Sequence, residues 1–314
     1  MRNELYKSMQ QTDKHLLPIE WGHVETERPV TVRNNGSGAN VPAEIIDALK
    51  TKTLEIRRSI LKMVYDADSG HIGGSFSAAE LLVALYYQIM DHRPQNPKWQ
   101  KRDRFILSKG HCTPLLYAVL ADCGYFPKED LTQFRRPGSH LQGHPYQPKT
   151  PGVEASTGTL GLGLSTAMGM ALGAKLRNQS NYYYILCGDG ELQEGQIWEA
   201  ALFGSKYKLD NVIAFVDRNY LQTDGNTEDV MPLDPLPVKW RAFGWNTFEI
   251  DGHDFSQILD VVDRAKAVGS RPTMIICHTV KGKGVSFMED RMEWHSGSPN
   301  AVKYREALDE LNGK

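Results

Sequence analysis

The stretch at residues 182–223 constrains the fold most, because it consists of two apolar runs that enclose a helical pattern. The first run ends at a Gly-Asp-Gly turn, residues 188–190, and the second ends just before Asn219. A strand, a helix and a strand of these lengths predict two parallel strands joined by a crossover. Because a right-handed crossover leaves both carboxyl ends at one edge of the sheet, we expect Asp189 and Asn219 to be close neighbours.

This pair of residues predicts a magnesium site that holds a diphosphate. Mg²⁺ prefers about six hard oxygen ligands and takes several of them from phosphate and water. The carboxylate of Asp189, the amide oxygen of Asn219 and the backbone carbonyl of Leu221 supply three such oxygens. Gly188 and Gly190 leave room for a diphosphate at the backbone, and the N-terminus of the following helix attracts anions. The alternative is an ordinary strand-to-helix turn, in which Gly-Asp-Gly is common.

Further motifs accompany this turn in the sequence. They are SGHIGG (69–74), RDRFILSKGH (102–111), GSHLQGHP (138–145), STGTLGLG (156–163) and KGKGVSFME (281–289). Together with GDGELQEGQIWEA (188–200), they resemble the transketolase family of thiamine diphosphate enzymes, from about residue 49 to about residue 298. The resemblance implies a thiamine diphosphate-binding fold. It also implies two cofactors, thiamine diphosphate and Mg²⁺, with Ca²⁺ or Mn²⁺ as substitutes for the metal.

Four histidines become candidate catalytic residues through this resemblance: His71, His111, His144 and His295. In the family, the matching histidines line the channel above the thiazolium ring and contact sugar hydroxyls and the diphosphate. An imidazole has an unperturbed pKa of about 6.5, which suits proton transfer at neutral pH. Without the resemblance, a loop histidine is more often a solvated or structurally bonded imidazole, and no pair has the spacing of zinc ligands.

The resemblance also assigns residues around the cofactor. Gly158 and Leu160 match positions that shape the bend of thiamine diphosphate. Glu194 and Glu199 match glutamates at the dimer interface that link two cofactor sites through buried hydrogen bonds. From the residues alone, both glutamates suit an exposed helix start, where a negative charge favours the helix dipole. The lysines of the KGKG sequence (281–284) are either phosphate ligands or solvated side chains.

Alternating strands and helices predict an α/β fold with a doubly wound parallel sheet and helices on both faces. Outside the stretch above, strands are expected at 104–107, 247–250 and 274–277, and helices at 42–67, 77–90, 113–122 and 254–268. Residues 155–174 carry no charge, but ten of the twenty are Gly, Ser or Thr. This composition predicts a glycine-rich loop and a buried helix rather than a membrane span. We divide the chain into a partly ordered N-terminal extension, residues 1–40, and a thiamine diphosphate-binding domain, residues 41–314.

Composition argues against several classes of partner. A net charge of −2 gives no reason to expect nucleic acid or an anionic membrane as a partner. The four cysteines show no Cys-x-x-Cys spacing, and two lie in predicted buried strands, so we expect reduced thiols in a cytoplasmic protein. No apolar segment follows the first basic residues, so no signal peptide is expected.

The length of 314 residues departs from that of a full transketolase, which carries two further domains. The chain resembles the N-terminal, diphosphate-binding half alone, as in split transketolases. In the family, the glutamate that activates the aminopyrimidine belongs to the second domain of the opposite subunit. We therefore expect a C-terminal partner subunit that carries the pyrimidine-binding domain, an α2β2 assembly, and no turnover by this chain alone.

The resemblance implies transfer of a two-carbon ketol unit from a ketose phosphate to an aldose acceptor. One alternative is a subunit of a related thiamine enzyme, similar to deoxyxylulose-phosphate synthase or to a 2-oxo acid dehydrogenase component. Another is a non-catalytic scaffold subunit that keeps the fold. The LQEG sequence after the Gly-Asp-Gly turn and the Gly-His-Pro turn favour the transketolase. Asp189, Asn219 and three motif histidines favour a catalytic subunit over a scaffold.

Overall fold

The computed structural model describes residues 41–314, and a five-stranded sheet lies at its centre. The strands are β1 (Arg104–Leu107), β2 (Tyr183–Gly188), β3 (Val212–Arg218), β4 (Asn246–Asp251) and β5 (Thr273–His278). Their order is β1-β2-β3-β5-β4, and every neighbouring pair is parallel. Each predicted strand is present, so the parallel sheet is confirmed. The expected N-terminal extension, residues 1–40, lies outside the described residues.

Helices cover the sheet. They are α1 (Ala43–Ala67), α2 (Ile72–Ser77), α3 (Ala79–Ala84), α4 (Thr113–Asp122), α5 (Leu162–Leu176), α6 (Gly195–Lys206), α7 (Thr227–Val230), α8 (Leu236–Ala242), α9 (Phe255–Ala267) and α10 (Ala301–Leu311). The side chain of Asp254 accepts hydrogen bonds from the amides of Ser256 and Gln257 at the start of α9, and Asn300 caps α10 similarly. Such caps satisfy amides that have no partner within the helix, so local sequence fixes where these helices begin.

Both faces of the sheet are buried beneath helices. On one face, side chains of α1, α3, α4, α9 and α10 form a core with Phe105 and Tyr184. On the other face, side chains of α5, α6 and α8 form a second core with Ile106 and Ile185. Because successive side chains of a strand point to opposite faces, uninterrupted apolar runs are typical of strands that are covered on both sides. The predicted doubly wound arrangement is therefore confirmed.

The predicted helix at residues 77–90 is present from Ala79 to Ile89, but it is not a regular α-helix throughout. The chain forms α2 and α3 with a break at Ala78 (φ −104°, ψ 15°), and it continues as a π-helical turn at Leu85–Ile89. The hydroxyl of Ser77 lies within hydrogen-bonding distance of the Gly74 carbonyl and of the Asp217 carboxylate. Side-chain bonds of this kind compete with helical backbone bonds, and apolar periodicity does not reveal them.

The predicted buried helix within residues 155–174 is only partly right. The glycine-rich loop is present and α5 follows it, but one face of α5 is exposed in the described chain. Leu162 is 46% exposed and Leu176 is 76% exposed. Because Gly, Ser and Thr suit both buried and exposed positions, composition did not distinguish the two faces. Within residues 41–314, no helix has both the length and the apolar character that crossing a bilayer requires.

Candidate active site

A cavity of about 320 Å³ opens where β1, β2, β3 and β5 end. Most of the predicted site residues line it: His71, His111, Gly158, Leu160, Gly188, Asp189, Gly190, Glu194, Asn219, Leu221 and His295. His144 and Glu199 are not among its lining residues. Lys109, Glu191 and Lys281 also line it. The carboxyl edge of the sheet therefore gathers motifs from six separate stretches of sequence.

The predicted metal ligands lie where β2 and β3 end. One carboxylate oxygen of Asp189 accepts a hydrogen bond of 2.8 Å from the amide of Gly190, and the other accepts one of 2.6 Å from the amide of Tyr220. Tyr220 stands between Asn219 and Leu221, so this bond brings the two donor-bearing segments into contact. A carboxylate, an amide oxygen and a backbone carbonyl are the hard oxygens that Mg²⁺ prefers. The residues present therefore fit a magnesium ion.

The side-chain amide of Asn219 is held in one orientation. Its nitrogen donates to the carboxylate of Asp217 over 3.1 Å, and its oxygen accepts from the amide of Leu221 over 3.1 Å. Because an amide oxygen has two lone pairs, one remains for a cation. Within residues 41–314, no group of three or more His, Cys, Asp or Glu side chains is arranged to hold a metal. The candidate metal centre instead combines one carboxylate with amide and backbone oxygens.

A buried ion pair between Lys109 and Asp217 lies beneath this centre. Lys109 also donates to the Gly74 carbonyl over 3.0 Å, and the hydroxyl of Thr279 donates to Asp217. Burial opposes both charges, but each holds the other ionised: Asp217 raises the pKa of Lys109, and Lys109 lowers the pKa of Asp217. We did not single out these two residues from the sequence. The sequence offered one indication of Asp217: a charged side chain that comes directly after an apolar run.

Lys281 binds the carbonyl that is predicted to hold the metal. Its ammonium donates to the backbone oxygen of Leu221 over 2.7 Å and contacts Nδ1 of His295 at 3.0 Å. An ammonium group has only donors, so Nδ1 accepts, and Nε2 carries the proton toward Thr223 at 3.1 Å. Of the two lysines in the KGKG sequence, Lys281 is buried in the cavity, whereas Lys283 pairs with a glutamate outside it.

Shifted pKa values show that the cavity opposes buried charge. Burial and the nearby Asp217 raise the pKa of Asp189 to about 6. Burial and Lys109 lower the pKa of Lys281 to about 8. Both shifts favour the neutral form of the side chain. At neutral pH both side chains are still mostly charged, and a ligand that carries a cation and an anion together would favour these charged forms further.

Three of the four predicted histidines form a cluster. The ring centroids of His71, His111 and His295 lie 5.1, 5.4 and 5.6 Å from one another. Burial, reinforced by neighbouring cations, lowers the pKa of His71 to about 4 and that of His295 to about 3. Burial and Lys109 also lower the pKa of His111. The three imidazoles are therefore neutral at neutral pH.

His144 lies beside the cavity rather than in its wall. Its ring covers Gly158, where an added Cβ would lie 2.8 Å from Cδ2 of the histidine. Gly158 has a φ of +139°, so its conformation and its surroundings both require glycine. The side chain of His144 is exposed, and the predicted catalytic role stays a prediction.

Arg135 contacts the histidine cluster, although sequence reasoning missed it. Its guanidinium donates to the hydroxyl of Ser69 over 2.5 Å and lies 3.4 Å from Nδ1 of His71. Its backbone has a left-handed φ of +58°, which is uncommon for a residue other than glycine. The residue follows no periodic pattern, so only its place in a loop near the Gly-His-Pro turn pointed to this site.

The two interface glutamates differ in position. Glu194 lines the cavity, and Glu199 lies outside it on α6. Both side chains are exposed in the described chain. Their predicted contact with another protomer stays a prediction.

Comparisons with known proteins place this geometry in a family. The family described as "Transketolase, thiamine diphosphate binding domain" matches residues 49–308. The chain is 46% identical to the 6-deoxy-6-sulfo-D-fructose transketolase subunit SqwG of Clostridium sp. (strain MSTE9), over 82% of this chain and 93% of that protein. It is 43% identical to one subunit of the apulose-4-phosphate transketolase of Phocaeicola vulgatus, over 85% of this chain and 95% of that protein. These matches bear out the predicted resemblance to split transketolases.

Full-length transketolases are similar over a part of their length. The structure of Pichia stipitis transketolase in complex with sedoheptulose-7-phosphate matches with a TM-score of 0.80 and 32% identity, over 84% of this chain and 41% of that one. Transketolase of Homo sapiens is 39% identical over 81% of this chain and 40% of that protein. The chain thus spans about two fifths of these full transketolases. It belongs to the transketolase family, in which it represents the thiamine diphosphate-binding domain.

Proposed function

We propose that this chain is the diphosphate-binding subunit of a two-chain transketolase. It transfers a two-carbon ketol unit from a ketose phosphate to an aldose acceptor, together with a C-terminal subunit that carries the pyrimidine-binding domain. The hydrogen bond between Asp189 and the amide of Tyr220 carries the proposal, because it joins the two donor-bearing strand ends at the cavity. The similarity to named subunits of transketolases supports it further.

Each part of the cavity has a task in this proposal. Asp189, Asn219 and the backbone oxygen of Leu221 hold Mg²⁺, and Lys109 and Lys281 offset the charge of the diphosphate. When bound, thiamine diphosphate supplies an electron sink for the cleavage and formation of carbon–carbon bonds. The chain contributes binding and orientation, and it keeps bulk water from the buried end of the site.

The histidines provide proton transfer. His71, His111 and His295 are neutral at neutral pH because burial and nearby cations lower their pKa values. A neutral imidazole of His71 or His111 accepts a proton from a sugar hydroxyl and returns it to a carbonyl oxygen, whereas Nδ1 of His295 is already occupied by the ammonium of Lys281. His144, which is exposed beside the cavity, is placed to contact the sugar where it enters.

Reconstitution tests the two-chain assignment. The purified chain is mixed with Mg²⁺, thiamine diphosphate, a ketose phosphate and an aldose, first alone and then with a candidate C-terminal subunit. We expect ketol transfer only in the second mixture, because the pyrimidine-activating glutamate is supplied by the partner. Robust turnover by this chain alone would reject the two-chain assignment. A 6-sulfo ketose is tested beside the ketose phosphates, since one relative is named for that substrate.

Metal binding is tested separately from activity. Asp189→Ala and Asn219→Ala each remove one proposed ligand, so Mn²⁺ binding in the presence of thiamine diphosphate, followed by electron paramagnetic resonance, is expected to disappear. Asp263→Ala, an exposed aspartate on α9, is the matched control and is expected to bind as the unchanged chain does. Tight Mn²⁺ binding by both site variants would contradict the ligand assignment.

The alternative functions have different products. Release of CO₂ from pyruvate would indicate an enzyme similar to deoxyxylulose-phosphate synthase or to a 2-oxo acid dehydrogenase component. A scaffold subunit would not bind the cofactor, so calorimetry with Mg²⁺ and thiamine diphosphate would show no heat of binding. The intact set of Asp189, Asn219 and clustered histidines supports the catalytic assignment over the scaffold.

A further inference from the structure

Glu191, which follows the Gly-Asp-Gly turn, is a buried carboxylate with only 3% of its surface exposed. The hydroxyl of Ser108 and the amide of Gly161 donate to its Oε1 over 2.5 and 2.9 Å. The amide of Gly188 donates to its Oε2 over 3.0 Å. These donors belong to three segments that are far apart in sequence, so one side chain ties the segments together.

All three segments carry residues that line the cavity. Gly161 ends the loop that carries Gly158 and Leu160, whereas Gly188 begins the turn that carries Asp189. Gly161 has a left-handed φ of +87°, which favours glycine and makes the loop conformation specific. The bonds from Glu191 therefore set the distance between the loop and the turn.

We propose that Glu191 is a positioning residue for thiamine diphosphate, because its two carboxylate oxygens fix the width of the cleft between the Gly158 loop and the Asp189 turn. This inference rests on the proposed function of the cavity. Backbone amides only donate, so the amides of Gly161 and Gly188 each require an acceptor oxygen of their own. Only an acidic side chain offers two such oxygens at this point.

A glutamine at this position keeps the shape of the side chain but not its bonding. It has one oxygen and one NH₂ group, so its NH₂ faces the amide of either Gly161 or Gly188. Two hydrogen-bond donors that face each other in a buried place repel, so the hydrogen bond to one of the two amides is lost and its segment is no longer held by Glu191. The hydroxyl of Ser108 can accept as well as donate, so this third bond adapts to the change.

Two measurements on the full chain test the role of Glu191. Hydrogen–deuterium exchange without ligand reports on the amides of Gly161 and Gly188, and we expect Glu191→Gln to speed exchange of one of them by about tenfold. Calorimetry with Mg²⁺ and thiamine diphosphate reports on affinity, and we expect the Kd to rise by about tenfold. A purely local structural role would change exchange without changing the Kd, and it would overturn the proposal.

Two further variants make the test specific. Glu154→Gln alters another largely buried glutamate, which binds Arg102 and does not line the cavity, so exchange and Kd are expected to stay within about twofold. Ser108→Ala removes one donor to Glu191 and keeps both amide bonds, so its Kd is expected to rise less than that of Glu191→Gln. If Glu191→Gln does not fold, the Kd of Ser108→Ala tests the role of Glu191 instead. No change in Kd for the variant that folds overturns the role of Glu191. The titrations are done on each form of the chain together with its C-terminal partner, and failure of the unchanged complex to bind Mg²⁺ and thiamine diphosphate counts against the proposed function instead.

Discussion

Replacing Asp217 with asparagine is expected to destabilise the protein by about 3–5 kcal/mol, because it leaves Lys109 buried without its counter-charge. The side chains of Lys109 and Asp217 are only 2% and 1% exposed, so water cannot compensate either charge. Apart from Asp217, the described partner of the Lys109 ammonium is the Gly74 carbonyl at 3.0 Å. The amide oxygen of the new asparagine can still accept one ammonium hydrogen, but neither neutral oxygen balances the charge, so the cost is expected within this range.

The reverse change, Lys109→Met, is expected to cost less. Asp217 then keeps hydrogen bonds from Ser77, Asn219 and Thr279, so its charge remains partly stabilised. We expect a loss of about 3 kcal/mol for this variant. The double variant Lys109→Met with Asp217→Asn buries no charge, and its loss is expected to be at least about 2 kcal/mol smaller than the sum of the single losses.

Urea unfolding of the four proteins at pH 7 measures these free energies. Fluorescence of Trp240 and Trp245, which are fully buried in the core, reports the loss of structure. If the two single losses add within about 0.5 kcal/mol in the double variant, Lys109 and Asp217 do not act as an ion pair and the reasoning is refuted. The double variant is expected to bind Mg²⁺ and thiamine diphosphate more weakly than the unchanged chain, because it lacks Lys109, which lines the cavity.

Three further predictions concern the cavity. Gly158→Ala is expected to cost about 1–3 kcal/mol, since φ is +139° and the new Cβ would lie 2.8 Å from Cδ2 of His144; an unchanged melting temperature would refute this. Lys281→Met is expected to raise the affinity for Mn²⁺ alone, because it frees the Leu221 carbonyl, and to lower the affinity for Mg²⁺ together with thiamine diphosphate. If calorimetry shows both affinities changing in the same direction, this prediction is contradicted. Stability is expected to fall as the pH drops from 6.5 to about 4, because only the unfolded chain protonates His71 in this window. His71→Asn is expected to make that slope shallower in urea titrations by the share of one of the three histidines whose pKa values are lowered.

The strands and the place of Asp189 and Asn219 at the edge of the sheet were predictable because their signals are local. An apolar run reports a buried strand from a handful of neighbouring residues, and Asp189 and Asn219 each follow such a run directly. Parallel topology then places both at one edge of the sheet. The contact between Asp189 and Tyr220 is the expected result of this geometry.

The supporting residues were not predictable because their contacts join distant segments. Lys109 and Asp217 are 108 positions apart, and Glu191 binds Ser108 across 83 positions. Arg135 reaches His71 across 64 positions from an irregular loop. Periodicity shows which face of an element is buried, but it does not show which loop lies opposite a given charge.

Under the proposed function, the charges of the cavity favour joint binding of Mg²⁺ and the diphosphate. A metal ion alone meets the ammonium of Lys281, which already binds the Leu221 carbonyl. A diphosphate alone meets the carboxylate of Asp189. Each ligand removes the conflict that opposes the other, and coupling of this kind is reciprocal between the two. The pKa values support this view, because the pKa of Asp189 is raised to about 6 and that of Lys281 is lowered to about 8 by their surroundings in the protein.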